Sequence, residues 1–231
     1  MQIDQAIFTS SQRGRIQGYQ LVAKSTGIDA GLSQKLSRWC PSQLPEGDPD
    51  QVIWSAFPLG ETHFGLARSF CAGPEYSRRG EKRIMTRIAV LREEHFEAFE
   101  QDYSKLIHTL AGLGYLRLPL EFSSKLPVLQ LPPTPFFALP SRAPGKERAS
   151  SDIIASLQQG HRCAWIGDDS PLARIAEWTP ALSQDCRRRL SFSTGLALSQ
   201  HRPFQIHFLP QLDASTTSAL QRRSIELWNH N

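Results

Sequence analysis

The first twenty residues set the pattern that the rest of the chain completes. Two runs of strand-forming residues, Ile3 to Phe8 and Ile16 to Ala23, flank a polar tip from Ser10 to Arg15 that holds one glycine and two arginines. This reads as a hairpin with a basic tip. An isolated two-stranded ribbon is only marginally stable in water, so the hairpin must be laid into a sheet made by later segments. Apolar residues recur at Ile28, Leu32, Leu36 and Trp39, one face of a helix that Asp29 would cap and Pro41 would end. A polar, proline-rich loop over 41–50 follows. Strands are then expected at Val52 to Leu59, His63 to Cys71 and Ile84 to Leu91. Phe96, Phe99, Tyr103, Leu106, Ile107, Leu110 and Leu113 repeat at helical spacing, which predicts one long helix from Arg92 to Leu113 laid across the sheet.

From Pro127 to Gly145 the chain is proline-dense yet carries Leu129, Leu131, Phe136 and Phe137, as expected of an extended strap docked on apolar surface. The second half begins with a helix near Ser151 to Gln159 and a buried strand from Arg162 to Ile166. Gly167-Asp168-Asp169-Ser170-Pro171 then opens a helix, with Ser170 as the expected N-cap. A helical turn ending in Arg187-Arg188-Arg189, a strand and turn over Leu190 to Gly195, and an alternating strand at Phe204 to Phe208 come next. Asp213 caps a last helix expected to run through Leu220 and Ile225. Sequential strands with few alternating helices predict an α+β fold: a mixed, largely antiparallel sheet with helices packed on it, in two halves joined by the strap. The halves are 1–126 and 146–231, with 127–145 between them, packed into one compact unit.

Composition narrows the class without naming a partner. The 231 residues are 40% hydrophobic and carry 26 Lys and Arg against 22 Asp and Glu, a net charge of +4. That is mild for a dedicated nucleic-acid binder. Of the basic residues 20 are Arg and 6 are Lys, and Arg suits bidentate contact with carboxylates and phosphates. The four cysteines lie far apart with no zinc spacing, and they read as reduced thiols. The amino terminus lacks the pattern of a secretory leader, and no apolar run approaches the ~18 residues of a membrane span. A cytoplasmic protein with no membrane partner and no cofactor is the expectation.

Three arginine-bearing segments hold the candidate binding chemistry. Arg13, Gly14 and Arg15 form a glycine-bearing tip where backbone N–H groups and guanidinium forks could cradle an anion, without the spacing of a Walker motif. Tyr76, Arg78 and Arg79 lie in a second glycine-bounded loop, Gly73 to Gly80. Arg187, Arg188 and Arg189 stand at a helix end, where the dipole favours cations, and Ser191 could add a hydroxyl. Against these readings stand ordinary solvated tips and a simple helix terminus. Asp168 and Asp169, at the carboxyl end of a strand, could hold a metal or could merely cap a helix. No GxSxG elbow and no HxxxH or HExxH spacing is present.

Three blocks resemble the N-terminal domain of the GTPase-associated protein family found in predicted bacterial conflict and signalling gene clusters. They are Gln5 to Phe8 with Arg15 to Tyr19, Gly73 to Ser77 with Gly80, and Arg187 to Thr194. The resemblance implies a non-enzymatic adaptor or regulator working with a GTPase or related NTPase, and it supplies no catalytic residues. The alternatives are a metal-dependent hydrolase or nuclease using Asp168 and Asp169, and a nucleic-acid binder acting through the arginines.

Overall fold

The computed structural model describes residues 1–12, 17–45, 50–75, 82–119, 123–133 and 148–229. Among the described residues, ten strands form one sheet. In chain order the strands are β1 (Gln2–Ser11), β2 (Gly18–Lys24), β3 (Val52–Pro58), β4 (His63–Pro74), β5 (Lys82–Arg92), β6 (Leu129–Gln130), β7 (Cys163–Ile166), β8 (Phe192–Ser193), β9 (Ile206–Leu209) and β10 (Glu226–Asn229). The helices are α1 (Ala30–Trp39), α2 (Glu93–Glu97), α3 (Tyr103–Gly112), α4 (Arg148–Gln158), α5 (Pro171–Trp178), α6 (Gln184–Arg189) and α7 (Ala214–Arg222).

The spatial order is β10-β7-β9-β8-β3-β4-β5-β1-β2, with β6 added to β1. From β2 to β3 every pair is antiparallel, β3 and β8 are antiparallel, and β8, β9, β7 and β10 run parallel. The α+β class is therefore as expected, with a four-strand parallel wing on an antiparallel body. Both faces are covered, which is what a parallel wing requires. One face carries α2 to α6 over Trp54, Phe64, Trp165, Phe192 and Phe208, with Phe96, Tyr103, Ile153 and Trp178 from the helices. The other carries α1 over Ile53, Phe57, Ile88 and Phe204, and α7 over Ala164 and Leu209. No described helix is long and apolar enough to cross a membrane.

Local chemistry explains the helix starts. Asp29 caps α1 by accepting from the N–H of Leu32 (2.7 Å), and α1 ends at Cys40 before Pro41. The single helix expected over Arg92 to Leu113 is two. Glu100 and Gln101 both adopt φ of 56°, and the N–H of Gln101 turns back to the carbonyl of Phe96 (2.9 Å). Asp102 then restarts the helix, accepting from the N–H groups of Ser104 (2.8 Å) and Lys105 (3.3 Å). Periodicity passed over the break because Phe96, Phe99 and Tyr103 stay on the buried side through it.

The last helix also ends earlier than expected. Ser224 takes φ of 50°, Ile225 closes onto the carbonyl of Leu220 (3.1 Å), and the chain continues as β10 beside β7. Ser170 stands at the N-cap of α5 but its hydroxyl makes no cap bond; the carboxylate of Asp168 accepts from the N–H of Ser170 (2.7 Å) instead. The described part of the strap docks as β6 on β1, with Leu129 and Leu131 buried and the Pro127 carbonyl accepting from the Gln5 amide (2.8 Å).

Candidate functional site

The registers sort the loops onto the two ends of the sheet. Ser11 pairs with Gly18 and Pro74 with Lys82, while β1 and β4 both run antiparallel to β5. The strand ends that flank 13–16 and 76–81 therefore leave the sheet at the same end. β3 begins at that end, so β8, antiparallel to it, finishes there, and so do β7, β9 and β10.

At this end lies an open cleft of about 1540 Å³. Its floor is Trp54, Thr194, Gly195 and Phe208, one wall is Ser104, Lys105 and His108 of α3, and the other is the segment from Gly167 to Glu177. The chain leaves β7 toward α5 on one face of the sheet and leaves the adjacent β9 toward α7 on the other. This divergence opens the crevice at the carboxyl ends of parallel strands where ligands of open α/β sheets bind.

Charge lines the cleft, and most of it is paired. Arg174 donates from Nε to Asp168 Oδ2 (2.9 Å) and from its terminal nitrogen to Glu177 (3.2 Å), and it lies over the Trp165 ring (5.8 Å). Burial works against the Arg174 charge, but Asp168 and Glu177 outweigh it and hold the guanidinium pKa above its usual value. The Asp168 side chain is only 4% exposed. Its oxygens are taken by Arg174 and by the Ser170 N–H, an ion-paired turn in place of an open metal ligand. Asp169 is exposed at the rim, and no three His, Cys, Asp or Glu side chains converge as a metal set among the described residues. Lys105 pairs with Glu100 (2.7 Å), and that hydrogen bond lowers the Glu100 pKa. His108 Nδ1 bonds the Ser104 carbonyl (2.6 Å).

Of the candidates read from the sequence, Arg13, Gly14, Arg15, Tyr76, Arg78 and Arg79 lie outside the described residues. The three arginines of α6 are described, and each is engaged. Arg187 lines the cleft but spends its guanidinium on the carbonyls of Leu182 (2.9 Å), Pro180 (2.8 Å) and Glu100 (3.4 Å). Arg188 bridges Glu93 (2.9 Å) and Glu97 (2.6 Å) of α2, the helix that follows the far end of β5. Arg189 donates to the Asp185 carbonyl (3.2 Å). Ser191 is buried, and its hydroxyl accepts from the N–H of Gln205 (3.0 Å). The structure thus seats Arg187 at the cleft and Arg188 toward the opposite end of the sheet. Sequence reading passed over Lys105, Arg174 and Glu177. Their signal is weak, since each is one charge on an amphipathic helix.

Residues 2–108 match the family model described as GTPase-associated protein 1, N-terminal domain type 2. The match takes in the first two blocks of resemblance and ends within α3, so the block from Arg187 to Thr194 lies outside it. No curated protein and no solved structure matches the chain.

Proposed function

We propose, on the premise that residues 2–108 carry this GTPase-associated domain, that the chain is a non-enzymatic binding protein that regulates or adapts a GTPase or related NTPase in a bacterial conflict or signalling system. The observation that carries the reading is the shared end of the sheet. The strand ends flanking the basic segments 13–16 and 76–81 and the mouth of the cleft all face one way. Arg13, Arg15, Arg78 and Arg79 are proposed as the charged contacts, with Gly14 and Tyr76 as further contact residues and the cleft receiving a partner segment. Arg187 acts by holding the cleft wall, whereas Arg188, Arg189 and Ser191 serve the fold.

Affinity purification of the tagged chain from its own host, with GTP or GDP added or withheld, tests this. The expected result is recovery of a GTPase or related NTPase that is lost when Arg13, Arg15, Arg78 and Arg79 are together replaced by Gln and kept in Arg189→Gln. Equal recovery with the fourfold variant, or no specific protein in any condition, overturns it.

A further inference from the structure

At the opposite end of the parallel wing, three adjacent strands are each entered past an arginine. Arg162 immediately precedes β7, Arg202 lies shortly before β9, and Arg223 caps α7 shortly before β10. Between them stands His207, the second residue of β9, in register with Ala164 on the face that α7 covers. The His207 ring is fully buried and lies edge-on to Phe204 (5.6 Å), which in turn packs on Trp39 of α1 (5.0 Å).

The polar inventory of this cluster does not balance. Both ring nitrogens of His207 are buried without a hydrogen-bond partner among the described residues. So are one terminal nitrogen of Arg162, Nε of Arg202 and one terminal nitrogen of Arg223. Among the described residues the Arg162 side chain makes one hydrogen bond, from Nε to the Phe204 carbonyl (3.2 Å). No carboxylate of the described residues forms a salt bridge with any of the three. The nearby Glu226 is in register with Cys163, on the other face, where Ser156 and His161 take its oxygens. The charges also act on each other. Burial and then Arg223 lower the Arg162 pKa, and burial lowers that of Arg202.

A helix C-terminus favours one nearby cation, which accounts for Arg223 at the end of α7. It supplies no acceptor for four inward-facing groups, and buried donors left unmatched are costly. All three arginines are half-buried, so part of each side chain is open to solvent. From the convergence of Arg162, Arg202 and Arg223 around His207 we infer that this end of the wing binds the phosphoryl group of a small ligand. Three forks from the segments that enter three adjacent strands offer more donors than the two oxygens of a carboxylate use. The three non-bridging oxygens of a phosphoryl group can each take one. His207, held neutral, adds one ring N–H. The site is separate from the cleft at the carboxyl ends and does not depend on the GTPase reading.

Calorimetric titration of the purified chain with inorganic phosphate, pyrophosphate and GTP, against chloride at matched ionic strength, tests the inference without any partner present. A saturable heat with at least one phosphate compound, and a raised melting temperature, is expected. Arg202→Gln and Arg223→Gln should each weaken that binding by about tenfold or more, the loss expected for one hydrogen bond to a charged group. Neither should lower the melting temperature of the ligand-free chain, because removing one of three like charges relieves repulsion. In the wild-type chain the His207 ring nitrogen resonances should move on adding phosphate. A response to chloride as large as that to phosphate, no saturable binding, or unchanged affinity with a lowered ligand-free melting temperature in both variants overturns the assignment.

Discussion

Single side chains decide how tightly the middle of the sheet closes. Gly65 in β4 faces Phe57 of β3, and a Cβ added there would overlap the Phe57 ring. That ring cannot move aside freely, because it stacks on Trp39 at 4.9 Å and 6°. Gly65→Ala should destabilise the fold by about 1–3 kcal/mol, the usual cost of overpacking, read as a lowered urea midpoint with unchanged slope. His207 makes a second residue-scale prediction. Burial, reinforced by Arg162, Arg223 and Arg202, pushes its pKa from 6.5 down to about 3. The unfolded chain therefore binds a proton between those values that the folded chain refuses. The His207 contribution is complete above about pH 6.5 and drains away as pH falls toward about 3, at up to about 1.4 kcal/mol per pH unit. Urea midpoints measured across this window should fall with acid in the wild type and flatten in His207→Gln; identical pH slopes would contradict it. The sequence offered His207 as one scattered histidine among seven. Its meaning comes from arginines ahead of three strands that only the fold brings together. Arg188 is similar in kind: its carboxylate partners Glu93 and Glu97 lie 91 or more residues away along the chain.

Most elements were legible from local signals, whereas the order and direction in which they pair across the sheet were not. The antiparallel body could be read from alternation in β1, β3, β4 and β5, and α1 from its cap, spacing and proline stop. β10 escaped because Glu226–Asn229 gains its place from β7, whose residues lie more than sixty positions back. β8 lies within the strand and turn expected over Leu190 to Gly195, but two residues carry no period that would show it joining the parallel wing to the antiparallel body. The cleft was legible only as Asp168 and Asp169 at a strand end and Arg187 at a helix end, since its opposite wall comes from α3. That wall depends on the restart at Asp102, whose one carboxylate oxygen serves two backbone N–H groups and the Ser104 hydroxyl (2.7 Å). Asp102→Ala should cost about 0.5–2 kcal/mol in chemical denaturation, as for other caps, whereas Asp102→Asn should recover most of it. Equal losses in the two variants would show that the carboxylate charge, and not the cap geometry, holds α3.

For the molecule as a whole, the question is whether the segment matching the GTPase-associated domain can unfold apart from the rest. The sheet argues that it cannot. β8 pairs with β3 through Ser55 and Ala56 on one side and with β9 on the other, and Thr194 extends the seam by accepting from the Trp54 N–H (2.8 Å) and donating its own N–H to the Trp54 carbonyl (2.9 Å). The core below the seam is shared. Tyr103 of α3 lies edge-on to Phe192 at 5.4 Å, and its hydroxyl donates to the carbonyls of Leu190 (3.0 Å) and Arg187 (3.2 Å). Burial raises the Tyr103 pKa, so the hydroxyl keeps its proton and its donor role at alkaline pH. Cutting off either half would expose the apolar side of Trp54, Phe64 and Phe96 or that of Trp165, Trp178 and Phe208. A single cooperative transition is the consequence. Phe192→Ala, which empties the middle of the seam, should cost about 3–5 kcal/mol and lower the stability of both halves together. Native-state amide exchange reads this directly. The slowest amides of β4 and of β7 should report the same opening free energy in the wild type and the same reduced value in Phe192→Ala. If β7 amides exchanged through a separate, cheaper opening while β4 stayed protected, the N-terminal domain would be an independent unit and the cleft a junction between two bodies instead of a feature of one.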